Sequence, residues 1–194
     1  MATGKKVVSS FGPPPLLKGE DLESYAQLLA GVKASVDPAD FLEEMWTNDV
    51  VQETWEIVRW RRSKAALLNS AMPDALGELL VRRSLKLFPK AKHLAEAWAA
   101  GKPSDVKEVN DLLASGGITI DDVQARALEL KLKTIDHLDR LTTSAEIRRS
   151  NTFREIDRHR DRKQFANALR TKIAEIEDAE SETVTTVPQQ QPSS

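Results

Sequence analysis

A chain of 194 residues is long enough to bury a full hydrophobic core, and one domain is the default at that length. It contains no cysteine, which excludes disulfides, thiol catalysis, cysteine–zinc sites and thiolate-bound clusters. Its net charge of -2 is far from the basic balance of a dedicated DNA-binding domain, and no run approaches the ~20 apolar residues of a membrane span.

The opening, MATGKKVVSSFGPPPLL, lacks the apolar segment of a signal peptide, so a cytoplasmic location is expected. Residues 1–19 read as a disordered arm, stiffened by the polyproline run Pro13-Pro14-Pro15. Glu20 to Ser35 follows as a short amphipathic helix, with Leu22, Tyr25, Leu28, Leu29 and Val32 on one side.

From Asp37 to Met72 the spacing predicts one long helix, with Asp37 as N-cap and Pro38 at the first helical position. At about 100° per residue its side chains fall into lanes. Trp46, Val50, Glu53, Ile57, Trp60, Lys64 and Leu67 form one, and Val51, Trp55, Val58, Arg62 and Ala65 form a second. Only Asp49, Gln52, Glu56, Arg59 and Ser63 make a clean polar lane. Two apolar lanes demand two packing partners, where a surface helix shows one stripe. Trp46, Trp55 and Trp60 are therefore read as structural, with Trp60 beside Arg59, Arg61 and Arg62 as the one place for a stacking platform. Glu53 interrupts an apolar lane and needs a cation, for which Arg149 is the candidate.

Pro73 starts a new helix or bends the old one, giving a segment over 74–88 with Leu76, Leu79, Leu80 and Leu87 inward and Arg82, Arg83 and Lys86 outward. Short helices at 91–100, carrying Leu94 and Trp98, and at 105–114 come next, the latter stopped by Gly116-Gly117. The four shorter helices are expected around one end of the long pair.

Thr119 with Asp122 forms a capping box for the last element, which meets neither glycine nor proline until Pro188. A single helix from about 120 to about 180 is predicted, with Thr142-Thr143-Ser144 as its weakest point. Its seam steps through Ile135, Leu138, Thr142, Ala145, Arg149, Thr152, Ile156, His159, Lys163, Ala166, Arg170 and Ile173, too polar after Ala145 for a dry coiled-coil core. Residues 181–194 read as a disordered tail, leaving a single helical domain over 20–180.

Charge falls in blocks: acidic from Glu20 to Glu56, basic from Arg59 to Lys92, basic again from Glu146 to Lys172, and acidic from Glu175 to Glu182. Such alternation suits helices that pair by complementary charge, within or between chains. The arginine-rich run Ile147–Lys163 offers Arg148, Arg149, Arg154, Arg158, Arg160 and Arg162 as candidate phosphate contacts, against which Glu155, Asp157 and Asp161 intersperse it. His93, His137 and His159 stand at no metal-ligand spacing, and no phosphate loop or nucleophile motif occurs. No catalytic, cofactor-binding or metal residue, and no small-molecule ligand, is expected.

Two stretches, LLKGEDLESYAQLL with NDVVQETWEIVRWRRSKAALL, and GGITIDDVQARALELKLKTIDHLDRLTTSAEIRRSNTFREIDRHR, resemble a family of uncharacterised bacterial proteins present in many copies per genome. The resemblance implies no particular activity; it implies that the tryptophan helix and the arginine helix belong to one unit. The expectation is an all-α protein of long antiparallel helices. It acts as a non-enzymatic interaction protein that self-associates through its C-terminal helix, with nucleic-acid binding as the alternative.

Overall fold

The computed structural model describes residues 11–83 and 88–185, which form five helices and no strand. They are α1 (Leu22–Val36), α2 (Phe41–Arg83), α3 (Phe88–Ala99), α4 (Pro103–Gly116) and α5 (Ile120–Thr185). The all-α class is as the sequence predicts. None of the helices is long and apolar enough to cross a membrane.

Asp21 starts α1, its carboxylate accepting from the backbone N–H of Glu23 and Ser24. Asp37 ends it. Its backbone sits in the left-handed region (φ 49°) and its N–H returns to Lys33 O, so it is the C-cap of α1 and not the N-cap of α2. Capping of α2 falls three residues later. Asp40 Oδ1 accepts from Glu43 N at 2.9 Å, and Glu43 Oε2 accepts from Ala39 N at 3.0 Å.

α2 then runs for 43 residues straight through Pro73, so the separate helix expected over 74–88 is its continuation as far as Arg83, and Phe88 already belongs to α3. Leu87 and Lys86 lie outside the described residues. The two predicted lanes find two neighbours. Val51 and Trp55 pack with Tyr25 and Leu29 of α1, while in the first lane Trp46, Glu53 and Lys64 meet His159, Arg148 and Asp139 of α5 and Val50 and Ile57 between them are buried. Residues 11–19, expected to be a disordered arm, join the α1 side. Leu16 packs against the Tyr25–Trp55 cluster, Phe11 stacks on Phe41, and Pro15 O accepts from Arg59 Nη2 at 2.8 Å.

A second core lies at the far end of α2. Ala71, Ala75, Leu76 and Leu80 meet Ala91, Leu94 and Ala95 of α3, Val109 and Leu113 of α4, and Val123 and Ala127 of α5. The shorter helices therefore do not gather at one end: α1 sits on the first half of α2, α3 and α4 at the last. Gly117, at φ 63°, closes α4 where few side chains tolerate that backbone. The Thr119–Asp122 capping box forms as read, with Thr119 N on Asp122 Oδ2 at 2.8 Å and Asp122 N on Thr119 Oγ1 at 3.2 Å.

α5 has 66 residues, about 100 Å at 1.5 Å per residue. It passes Thr142–Ser144 without a break and continues to Thr185, beyond the expected start of the tail; residues 186–194 lie outside the described chain. Its ladder of partners on α2 runs Glu78–Arg126, Lys64–Asp139, Arg61–Glu146, Glu56–Arg148 and Glu43–Arg160. Numbers fall along α2 as they rise along α5, so the two helices run in opposite directions. The seam is buried or half-buried at Ile135, Leu138, Thr142, Ala145, Arg149, Thr152, Ile156 and His159. From Asp161 to Asp178 every residue is exposed, because α2 has already ended at Phe41.

Candidate functional site

Two features stand out: a polar clasp where α1, α2 and α5 meet, and the bare extension of α5 beyond it. The clasp is built around Glu43, whose side chain is 1% exposed although the residue begins a helix. Its Oε2 accepts from Arg160 Nη2 at 2.8 Å and from Arg160 Nε at 3.2 Å. The same Nη2 donates to Val36 O at 2.7 Å and Asp37 O at 3.3 Å, the last carbonyls of α1. One guanidinium thus joins the negative end of the α1 dipole to the first turn of α2. The bond to Arg160 holds the Glu43 carboxyl below its ordinary pKa.

Asp40, one turn earlier, takes Lys163 Nζ at 2.6 Å and His159 Nε2 at 2.8 Å, both on Oδ2. Lys163, the Glu43 N–H and His159 together hold the Asp40 carboxyl far below its usual range. An ionised carboxylate only accepts, which places the His159 proton on Nε2 in this bond. The His159 ring also meets Trp46 edge-on, with centroids 5.5 Å apart.

Asp40, Glu43 and His159 each offer a donor atom, all within 4.8 Å of one another, which is the spacing of a three-ligand metal site. The charge argues otherwise. Both carboxylates already face a cation, Lys163 on Asp40 and Arg160 on Glu43, so the negative potential that would draw a metal is compensated. The cluster acts as an ion-paired clasp between three helices. Sequence reading placed His159 and Lys163 on the seam but did not join them to Asp40 and Glu43. The available signal was the i, i+3 pair at 40 and 43 opposite the i, i+4 pair at 159 and 163, which needs the α2–α5 register to be seen.

The candidate phosphate contacts divide. Arg148 spans Glu56 (2.9 Å) and Glu53 (3.4 Å), Arg160 is in the clasp, and Arg158 binds Glu155 at 2.6 Å. Arg149 turns inward and reaches Thr54 Oγ1 at 3.5 Å. The cation for Glu53 is therefore Arg148 and not Arg149. Among the described residues Arg154 and Arg162 bond only neutral groups, Asn151 Oδ1 and Arg158 O.

The bases around Trp60 are drawn away from any stacking platform. Arg59 pairs with Glu20 at 2.7 Å, Arg61 with Glu146 at 2.8 Å, and Arg62 lies over the Trp55 ring at 5.7 Å. Trp60 itself is half-buried. Trp55 is buried, T-shaped against Tyr25, and donates Nε1–H to Glu20 Oε2 at 3.0 Å. Glu53 is half-buried, with Oε2 enclosed and lacking a hydrogen-bond partner among the described residues; burial pushes its carboxyl above the ordinary range.

The extension carries the unexplained apolar surface. Phe165 is 73% exposed, Leu169 49%, Ile173 47% and Ile176 59%. Steps of four, four and three keep these four within an arc of about 80° on the helix. Continued backwards by the same steps, the line meets Arg162, Arg158 and Arg154. It lies on a different side of α5 from the Ile156–His159 seam that α2 covers.

No family model, no curated protein and no solved structure matches the chain.

Proposed function

We propose that this chain is a non-enzymatic interaction protein, acting in the cytoplasm, that self-associates through the extension of α5 beyond the clasp. The observation that carries the reading is the line Phe165, Leu169, Ile173, Ile176: four large apolar side chains, all exposed, on a helix that has outrun its intramolecular partner. A helix with polar residues all round needs no cover, whereas an aligned apolar stripe loses free energy to water until another surface buries it. The polar groups that look like chemistry, Asp40, Glu43 and His159, are used to fasten helices. The two stretches with the family resemblance cover 16–29 with 48–68, and 116–160, and the reading takes them as one unit.

The alternative, nucleic-acid binding, draws on Arg154 and Arg162, which have neutral partners, and on Arg158 in line with them. It has less in its favour, since Arg148 and Arg160 are spent on acids within the chain. Light scattering on a size column, at rising protein concentration, should give a mass of twice the monomer or more. A strict monomer at high concentration, together with DNA or RNA binding whose salt slope flattens on changing Arg154, Arg158 and Arg162, would move the assignment to the alternative.

A further inference from the structure

We infer that the occupant of the stripe is the same segment of a second copy, running antiparallel, in a twofold pair centred between Arg170 and Thr171. This rests on the self-association reading above and adds orientation and register.

Toward its start this part of the helix carries Arg154, Arg158 and Arg162 in one row, bordered by Asp157 and Asp161, while Lys163 faces Asp40 on the α2 side; toward its end Glu175 and Glu177 lie to either side of Ile176 and the acidic block runs on to Glu182. A parallel pair would set arginines on arginines and acids on acids over the whole overlap. An antiparallel pair sets the acidic end of each copy on the Arg158–Arg162 row of the other, twice by symmetry. The apolar positions agree with that choice. With the centre between 170 and 171, Phe165 comes opposite Ile176, and Leu169 comes opposite the Lys172–Ile173 step, so the four apolar side chains of each copy meet those of the other. The steps of four, four and three also match an 11-residue period, which holds a stripe straight along a helix for longer than a heptad does.

This assigns the exposed arginines a partner that the chain itself carries. Arg154 and Arg162, whose partners within the chain are neutral, meet carboxylates of a second copy, and Arg158 lies in line with them while also holding Glu155.

The absence of cysteine allows a clean test by spin-label distances on single-cysteine variants of the full chain. Thr171→Cys sits at the proposed axis, and Asn151→Cys sits twenty residues before it, both exposed. With helix axes 8–10 Å apart, labels at 171 should report a short intermolecular distance, on the order of 20–30 Å. Labels at 151 should lie about 60 Å apart, from the rise of 1.5 Å over the offset between the two copies. Association should also weaken as salt is raised from about 0.05 to 0.5 M, because the attraction is between opposite charges on exposed surface. Short distances at both positions, with association strengthened by salt, would establish a parallel pair and overturn the orientation while leaving self-association standing. No intermolecular distance at either position, at concentrations where the chain stays monomeric by light scattering, would overturn both readings.

Discussion

Glu20 does more than its position in a loop suggests. Its two oxygens take Arg59 Nε (2.7 Å), Arg59 Nη2 (2.9 Å), Trp55 Nε1 (3.0 Å) and Leu17 N (2.9 Å), so one carboxylate ties residues 15–20 to the first half of α2. The Arg59 bond, with Trp55 and Leu17 behind it, depresses its pKa from 4.5 to about 2. A carboxylate that holds its proton less tightly folded than unfolded contributes stability above the unfolded value, and that stability is lost as pH falls from about 4.5 toward 2. Glu20→Gln should therefore cost about 1.5–3 kcal/mol at pH 7, the range for hydrogen bonds to charged groups. The gap between variant and wild type in urea unfolding should close as pH drops below about 4. A gap that stays constant down to pH 3 would show that the loss does not come from the charge of the carboxylate. None of this was legible in the sequence, because Glu20 is 39 residues from Arg59 and the contact depends on how the chain turns at Gly19. Glu53 illustrates the same limit. That it needs a cation followed from its place in an apolar lane; that the cation is Arg148 and not its neighbour Arg149 depends on a rotation of α5 of about 100°, which period alone does not fix.

Among the elements, α2 is the one whose length the sequence understated. Proline removes one backbone donor and crowds the carbonyl four residues back, so reading a boundary at Pro73 was the ordinary inference. Tertiary packing overrides it. Ala71, Ala75, Leu76 and Leu80 form one face across the proline, buried against α3, α4 and α5, and that face is continuous only if the helix is. The cost of the proline is then carried by the core. Pro73→Ala should restore the bond to Asn69 O and raise stability by about 1–2 kcal/mol, less than the ~3 kcal/mol of the intrinsic difference, because alanine also loosens the unfolded chain. A fall in the urea midpoint would mean that the proline ring packs better than the helix tolerates it. What was legible is the content that periodicity carries: two lanes on α2 with two neighbours, the Thr119 capping box, the Gly117 stop, and the α5 seam as far as His159. The Asp37 misplacement has a local cause. The run Asp-Pro-Ala-Asp offers two caps, and Asp37 is taken by the preceding helix because its N–H returns to Lys33 O.

At the scale of the whole molecule, the clasp divides α5 into two parts with different roles. Up to Lys163 each turn is fastened to α2, ending with the Asp40–Lys163 and Glu43–Arg160 pairs. Beyond it every residue from Phe165 to Asp178 is exposed. An isolated helical segment of that length is marginal in water and is held here by continuity with the packed part. Ending the chain after Gln164 should therefore leave the body folded. Exposed positions away from packing change stability by no more than about 0.5 kcal/mol, and for a chain of this size that moves the thermal midpoint by about 2 °C at most. The comparison belongs at a protein concentration where the full chain is monomeric, because assembly would otherwise add to its apparent stability by mass action. At high concentration the truncated chain should stay monomeric where the full chain gains mass. Loss of folding on truncation would place the extension inside the cooperative unit. Unchanged folding with unchanged association would rule out the extension as the interface.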